Sequence, residues 1–149
     1  RRNVFGEGSM KSDESCIFCK ILSGAIPAQK VMEDEFSLAF LDINPLAKGH
    51  ALLIPKGHFV TVDEMPAQAA GEMLKNLPAL VRAVKKVTAC QGVNVLQNNG
   101  RVAHQLVQHV HFHIIPRNEN DDFRFNWPAG SYPPGEAEAL AQAIRKSIV

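Results

Sequence analysis

Short apolar runs, separated by residues that favour turns, recur along most of the chain. Runs of this kind are typical of β-strands. They predict strands at 29–33, 36–42, 50–55, 93–97 and 107–115. A turn at 34–35 joins the first two runs, and Asn98-Asn99-Gly100 follows the fourth, so hairpins are expected to dominate. The first or the last pair of strands is expected at an edge of the sheet, where a second subunit can pair.

The middle of the chain has the pattern of a long helix. Pro66, preceded by Asp63 and Glu64, suits the first helical turn. Apolar residues then recur with a helical period, at Met73, Leu77, Leu80, Val81, Val84 and Val87. Pro78 predicts a kink, because proline removes a backbone hydrogen bond and its ring clashes with the preceding turn. Gly92 is the predicted end of this helix.

Two shorter helices are predicted near the ends of the chain. The apolar run at 17–21, followed by Ser23-Gly24, predicts a short helical turn and a break. After a loop rich in Pro and Gly, a second helix is expected from about Glu136 to Ser147. Because strands outnumber helices and pair as hairpins, the predicted fold class is α+β with an antiparallel sheet.

Composition and charge narrow the class of protein. The chain has 149 residues, which fit one domain. Hydrophobic residues make up 46% and charged residues 21%, which is ordinary for a globular protein and argues against a disordered chain. The 16 basic residues nearly balance the 15 acidic ones. Dedicated nucleic-acid binders carry a basic excess, so no nucleic-acid polymer is expected as a partner.

The N-terminal residues are interpreted separately from the domain. Gly8-Ser9-Met10 resembles a cloning scar, so residues 1–9 are interpreted as an expression remnant and 10–149 as a single domain. The sequence has no run of about 18 apolar residues, which argues against a membrane-spanning helix. Residues 1–10 lack the apolar core of a signal peptide. We therefore expect no membrane partner and a cytoplasmic location.

Three histidines at alternate positions carry the candidate chemistry. Alternate side chains of a strand point to opposite faces, so His109, His111 and His113 share one face. The residues between them are apolar and share the other face, as in an ordinary core. Three imidazoles in line are not expected in a core, because burial disfavours their charged forms and those forms repel one another. The row predicts either a zinc site with three histidine ligands or nucleophilic catalysis by imidazole.

The segment His-Val-His-Phe-His-Ile-Ile-Pro at 109–116 resembles the signature of the histidine triad (HIT) family. Further segments resemble family blocks in the expected order, at 16–20, 24–27, 38–43, 49–56 and 98–100. Trp127-Pro128 is similar to the tail of the Hint-like branch. The resemblance implies a small α+β domain with a five-stranded antiparallel sheet, one long helix and one C-terminal helix. It also implies a homodimer whose sheets join into one sheet of ten strands.

The same resemblance implies a function. The family cleaves nucleotides at the α-phosphate, so the chain is expected to hydrolyse a nucleoside phosphoramidate or a related conjugate through a nucleotidyl-histidine. The expected partner is a purine nucleotide, and no redox or organic cofactor is implied. Two alternatives stay open: a dinucleoside polyphosphate hydrolase, and a nucleotide-binding regulatory protein with weak catalysis.

Catalytic roles follow from the resemblance residue by residue. His111, the middle histidine, is the implied nucleophile. His109 and His113 line the same pocket, where they are expected to donate hydrogen bonds to the phosphate and to protonate the leaving group. His50 resembles a fourth histidine of this pocket. The uridylyltransferase branch has glutamine where this chain has His113, which favours hydrolysis over transfer to a sugar phosphate.

Substrate contacts are implied in the same way. Asn98 and Gln105 resemble positions that bind the phosphate or the bridging group. Asp42, with its neighbour Ile43, resembles the pair that binds the ribose hydroxyls. The walls of the base pocket are expected to include Phe18, Ile21 and Phe40.

Two residues depart from the phosphoramidase pattern. Leu106 stands where that branch commonly has a serine, and an aliphatic side chain cannot donate a proton to the leaving group. His104 stands where a glycine is common, and it is interpreted either as a partial replacement for the serine or as an exposed loop residue. These departures keep the weakly catalytic alternative open.

Cys16 and Cys19 form a Cys-x-x-Cys pair with three interpretations. A redox dithiol is typical of a βαβ setting, which the pattern lacks, and a packed pair of free thiols is the second possibility. The third is a structural zinc site, because two thiolates so spaced hold one ion when two histidines complete the tetrahedron. The resemblance assigns those positions to His58 and His109. Cys90 is interpreted as a packed thiol without chemistry.

Overall fold

A five-stranded antiparallel sheet forms the centre of the fold. Its strands are β1 (Lys30–Glu33), β2 (Ser37–Leu41), β3 (Ala51–Pro55), β4 (Gly92–Gln97) and β5 (Phe112–Arg117). The order across the sheet is β1-β2-β3-β5-β4, and every neighbouring pair is antiparallel. The predicted α+β class is therefore confirmed, and β1 and β4 lie at the edges.

The computed structural model describes residues 11–149. The interpretation of residues 1–9 as an expression remnant lies outside the described residues. Among the residues that are described, no helix is both long and apolar enough to cross a membrane.

The chain also forms four helices. They are α1 (Ile17–Leu22) before β1, α2 (Ala67–Leu74) and α3 (Leu77–Thr88) between β3 and β4, and α4 (Glu136–Ser147) after β5. Short 3-10 turns occur at Val62–Glu64 and Arg101–Ala103. The bounds of α4 agree with the prediction, and α1 extends the predicted helical turn by one residue. All four helices fall where the sequence pattern indicated helical structure.

The prediction of one long kinked helix is wrong, because the chain forms two helices there. Pro78 lies in the first turn of α3, where a missing backbone N–H costs nothing. Asn76, between the helices, donates from its amide to Asp34 Oδ2 at 2.6 Å and to Ser37 Oγ at 3.0 Å. The break between α2 and α3 is thus hydrogen-bonded to the β1–β2 hairpin. The helix also ends before Gly92, because Ala89 adopts a left-handed conformation with φ 53°.

The fifth strand starts later than predicted, at residue 112 rather than 107. Its pairing with β3 ends at Leu53↔Phe112 and its pairing with β4 ends at Gln97↔Phe112. The pairing of β5 with both neighbouring strands therefore ends at the same residue, Phe112. The preceding segment is held differently, because the Val110 amide donates to the carbonyl of Phe59 at 2.8 Å.

Two apolar clusters cover the two faces of the sheet. The larger one joins the sheet to α2 and α3, and it includes Val110, Phe112 and Ile114. The smaller one joins the sheet to α1, and it includes Phe18, Phe40 and Cys16. The apolar residues between the triad histidines thus pack into the larger core, and the imidazoles are left on the face that carries α1.

Candidate functional site

His50, His113 and His111 form a row of neighbouring imidazoles, and His109 lies on the same face of the sheet. The ring centres of His111 and His113 lie 4.8 Å apart, and those of His50 and His113 lie 5.1 Å apart. The ring of Phe18 stands edge-on to both His109 and His111, at 5.9 and 5.2 Å. His113 faces Leu52 across the β3–β5 pair, and His50 immediately precedes β3. Strands β3 and β5 therefore position the row.

His111 has one ring nitrogen committed to the backbone. Its Nδ1 lies 2.7 Å from the carbonyl oxygen of His109. A carbonyl only accepts, so Nδ1 carries the proton and donates it. In the neutral ring, Nε2 then holds the free lone pair, so it is the ring atom that can attack an electrophile. Burial lowers the pKa of His111, and this favours the neutral form.

His50 joins His113 to a loop. The Leu46 amide donates to His50 Nδ1 at 3.1 Å, and His50 Nε2 lies 2.9 Å from His113 Nδ1. An oxygen of Asp42 lies 3.6 Å from the same Nε2. Burial lowers the pKa of His50 and brings that of His113 down to about 4, so both rings are neutral near pH 7.

A second cluster lies next to the row. It consists of four side chains whose ligand atoms lie within 4.8 Å of one another: Cys16, Cys19, His58 and His109. His109 Nδ1 is 3.5 and 3.6 Å from the two sulfur atoms and 3.2 Å from His58 Nδ1. Cys19 Sγ is 3.4 Å from His58 Nδ1. The structure therefore brings together all four residues predicted as zinc ligands.

The cluster has the dimensions of a tetrahedral zinc site. Zinc–nitrogen and zinc–sulfur bonds of about 2.0–2.3 Å imply ligand–ligand separations of about 3.3–3.8 Å. The donor atoms here are spaced at nearly these distances. His109 Nε2 donates to the carbonyl of Pro55 at 2.9 Å, so its Nδ1 is left with a lone pair directed at the cluster. Burial lowers the pKa of His109 to about 4, which keeps this nitrogen free of a proton.

The surroundings of the two thiols favour binding of a cation over redox chemistry as free thiolates. Burial raises the pKa of Cys16, so without a cation its thiol is favoured over the thiolate. The amides of Cys19 and Asp13 point at the sulfur atoms of Cys16 and Cys19, at 3.4 and 3.5 Å. Cys90 is buried outside the cluster, as its interpretation as a packed thiol requires.

The residues predicted to contact phosphate have partners within the protein. Gln105 is fully buried: its Oε1 accepts from the Gly100 amide at 2.7 Å, and its Nε2 donates to the Val60 carbonyl at 2.5 Å. Asn98 Nδ2 donates to the carbonyl of His104 at 3.3 Å. Both side chains therefore shape the loop at 98–105, which lies beside the start of β5.

The residues predicted to contact the nucleoside fall into two groups. Phe18, Ile21 and Phe40 are buried together in the cluster under α1, where they form the floor of the histidine face. Asp42 and Ile43 lie on the loop that leads to His50. Asp42 Oδ1 accepts from the Asn44 amide at 2.8 Å, whereas Ile43 is 91% exposed and free to contact a ligand.

The two residues that depart from the phosphoramidase pattern are both exposed. Leu106 has 76% of its surface accessible. His104 has a left-handed backbone with φ 70°, at the end of the short 3-10 turn. Its Asn98-bound carbonyl helps to fix this turn.

Comparison with known proteins agrees with this geometry. A model of the HIT domain matches residues 23–120. A Schizosaccharomyces pombe protein named adenosine 5′-monophosphoramidase is 48% identical over 135 residues, which cover 90% of this chain and 98% of that protein. The chain belongs to the HIT domain family.

Solved structures of HIT proteins share the same fold. A HIT family member from Bacillus subtilis superposes with a TM-score of 0.88 at 42% identity, over 91% of this chain and 99% of that one. A Zn-bound histidine triad family protein from Mycobacterium smegmatis superposes with a TM-score of 0.69 at 35% identity, over 89% of this chain and 98% of that one. The resemblance predicted from the motifs is thus confirmed.

Three groups that fix the imidazoles of this HIT domain were missed by the sequence interpretation. They are the carbonyls of Pro55 and His109 and the amide of Leu46. All three belong to the backbone, which nearly every residue type provides, so no side-chain pattern reports them. The position of Pro55 at the end of the predicted third strand was the nearest available signal.

Proposed function

We propose that this HIT-family hydrolase cleaves nucleotides at the α-phosphate through a covalent intermediate on His111. The observation that carries the proposal is the 2.7 Å contact between His111 Nδ1 and the His109 carbonyl. This contact leaves a lone pair on Nε2 of a buried, neutral imidazole. A covalent step then divides one difficult displacement into two easier ones.

The proposed reaction has two balanced steps. In the first, His111 Nε2 forms a bond to the α-phosphorus, and the bond from phosphorus to the leaving group breaks with its electron pair. The leaving group takes a proton from solvent as it departs. In the second, water attacks the phosphorus and releases a proton to solvent, the P–N bond breaks, and its electron pair returns to Nε2. His113, whose ring lies 4.8 Å from that of His111, is placed to donate a hydrogen bond to the phosphate or leaving group.

A nucleoside phosphoramidate with a purine base is the substrate that we propose. The naming of the Schizosaccharomyces pombe relative as an adenosine 5′-monophosphoramidase supports it. Ile43, exposed beside Asp42, supports nucleoside binding on the loop before His50. Leu106 supplies no proton donor, which keeps a dinucleoside polyphosphate as the second candidate, since its phosphate leaving group needs less protonation than an amine.

We also propose a structural zinc ion held by Cys16, Cys19, His58 and His109. The ligand spacing and the lone pair on His109 Nδ1 support it. When bound, zinc would supply a crosslink between α1 and the segment that precedes β5. Four protein ligands leave no open position for water, so this role is structural rather than catalytic.

A homodimer joined at the edge of β4 completes the proposal. An unpaired edge strand is a template for another chain. The edge of β1 is less suited to pairing, because its register is interrupted between Lys30 and Met32. β4 pairs with β5 through six consecutive residues without such an interruption. The cytoplasmic location stays a prediction from the sequence.

Mass spectrometry after mixing with adenosine phosphoramidate or diadenosine polyphosphate tests the covalent step. Wild-type protein should gain an acid-sensitive nucleotide mass, whereas His111→Ala should gain none and lose turnover. Cys90→Ala is the control, because that thiol lies outside both the imidazole row and the cysteine–histidine cluster. Nucleotide binding without an adduct or turnover in the wild type would replace the enzyme proposal with a binding protein.

The dimer is tested by sedimentation of two matched variants. Val95 on β4 and Val31 on β1 are 41% and 47% exposed, so a lysine costs little folding energy at either site. Val95→Lys should weaken self-association, and Val31→Lys should leave it unchanged. Equal effects of the two variants would argue against the β4 edge.

A further inference from the structure

The hydrogen bond from the Leu46 amide determines where His50 carries its proton. A backbone amide only donates, so His50 Nδ1, at 3.1 Å, must accept. The neutral ring therefore holds its proton on Nε2. Burial keeps the ring neutral by lowering its pKa, and His50 is only 2% exposed.

The proton on His50 then determines the tautomer of His113. His50 Nε2 lies 2.9 Å from His113 Nδ1, so Nε2–H donates and Nδ1 accepts. Neutral His113 must hold its own proton on Nε2. Among the described residues, no hydrogen-bond acceptor faces this second nitrogen, so its N–H is available to a substrate.

The same reasoning separates two clusters of metal-binding residue types. Asp42, His50 and His113 also bring their ligand atoms within 4.8 Å of one another. A metal ion would need a lone pair on His50 Nε2, which the Leu46 amide denies it. His109 is the reverse case, because the Pro55 carbonyl takes its Nε2 proton and leaves Nδ1 free. The first cluster is a chain of hydrogen bonds, and only the second is suited to a metal.

The loop that carries Leu46 is fixed by hydrogen bonds and packing, so the Leu46 amide is held in a defined position relative to His50. The His50 amide donates to the Ala47 carbonyl, and the Asp42 amide donates to the His50 carbonyl, both at 3.0 Å. Gly49 has φ +93°, and a Cβ there would lie 2.5 Å from Thr88 Cγ2. The loop is therefore packed against the end of α3.

We infer that Leu46 is a positioning residue, whose backbone amide fixes a relay through His50 so that His113 presents an Nε2–H to the substrate. Its catalytic consequence rests on the proposed function, whereas the tautomer does not. The donor would hydrogen-bond to the phosphate or to the departing atom. Without the amide, His50 exchanges its proton between both nitrogens, and His113 presents a lone pair to the substrate for part of the time.

Nitrogen-15 NMR of the histidine rings tests the relay independently of turnover. In the wild type, His113 should show a protonated Nε2 and an unprotonated Nδ1. Leu46→Pro removes the amide proton and should give a mixture of tautomers. Lys48→Pro is the matched control, because this residue's amide makes no hydrogen bond in the described structure. It should keep the wild-type spectrum.

A second pair of variants tests the relay if Leu46→Pro does not fold. His50→Gln keeps an N–H donor near His113 Nδ1, whereas His50→Leu removes it. The leucine variant should lose the single tautomer and lower kcat on the order of tenfold relative to the glutamine variant, with KM little changed. Identical His113 spectra in both variants would overturn the inference. An absent adduct on wild-type His111, with the expected spectra, would overturn the proposed function alone.

Discussion

The Nδ1 atoms of His58 and His109 face each other at 3.2 Å. His109 donates its Nε2 proton to the Pro55 carbonyl, so its Nδ1 presents a bare lone pair. Two nitrogens and two sulfurs thus converge on one point that attracts a cation. We therefore expect the stability of the fold to depend on whether a cation is bound there.

Removal of zinc should destabilise the protein. A chelator is expected to lower Tm by about 5 °C or more, because about 2 kcal/mol of binding free energy stabilises only the folded state. Cys19→Ala should abolish this response, and Cys90→Ala, which changes a buried thiol outside the cluster, should keep it. Calorimetry with metal analysis is the measurement. A protein that contains no zinc and whose Tm is the same with and without the chelator would contradict the proposed metal site.

Stability should fall in mild acid because of His113. Burial holds its pKa at about 4, against 6.5 in the unfolded chain. Between these values the unfolded chain binds a proton that the folded protein does not. The stabilisation is therefore complete above pH 6.5 and is lost as the pH falls towards 4, by at most ~1.4 kcal/mol per pH unit.

Urea denaturation from about pH 7 to about pH 5 measures this dependence. His113→Gln should show a shallower decline of the unfolding free energy than the wild type. Parallel curves for the two proteins would rule out a contribution from His113.

Gly49→Ala should destabilise the fold more than Gly24→Ala. Both glycines have positive φ, at +93° and +83°, so both variants pay about 1 kcal/mol of backbone strain. Only at Gly49 would the new Cβ meet another atom, Thr88 Cγ2 at 2.5 Å. Adding Thr88→Ser, which removes that methyl group, should recover part of the loss. Thermal unfolding of the three variants and the wild type checks the order, and equal losses at both glycines would exclude the contact.

Gln105→Ala should unfold at lower urea concentration than the wild type. The change leaves the Gly100 amide and the Val60 carbonyl without their side-chain partners, at a cost of about 2–4 kcal/mol. Gln108→Ala is the matched control, since that exposed amide makes one contact of 3.3 Å. Equal midpoints for the two variants would show that the loop at 98–105 does not depend on Gln105.

The sequence predicted the parts of the fold that depend on side-chain periodicity. The strands before the histidine segment were expected within a residue or two, because their apolar runs are bounded by turn residues. Pro78 was misjudged, since a proline in a first turn and one within a helix have the same local pattern. The difference comes from Asn76, whose partners on β1–β2 are distant in sequence.

The candidate site was predictable where side chains define it and not where the backbone does. Cys16, Cys19, His58 and His109 were expected together, and the structure brings them together. Alternation placed the three triad histidines on one face even though the strand begins at Phe112. The proton positions were not predictable, because they depend on the amide of Leu46 and the carbonyls of Pro55 and His109.

His109 is part of the cysteine–histidine cluster and also contacts the imidazole row. Its ring faces the cysteines, and its carbonyl orients His111. A change in the cluster is therefore expected to reach His111 as well. If the cysteines are replaced, the backbone at His109 must still be held in position, either by a new partner for its Nδ1 or by a side chain of similar shape that fills the same space. Replacement of the proposed metal ligands is thus expected to be tolerated only where it leaves the orientation of His111 unchanged.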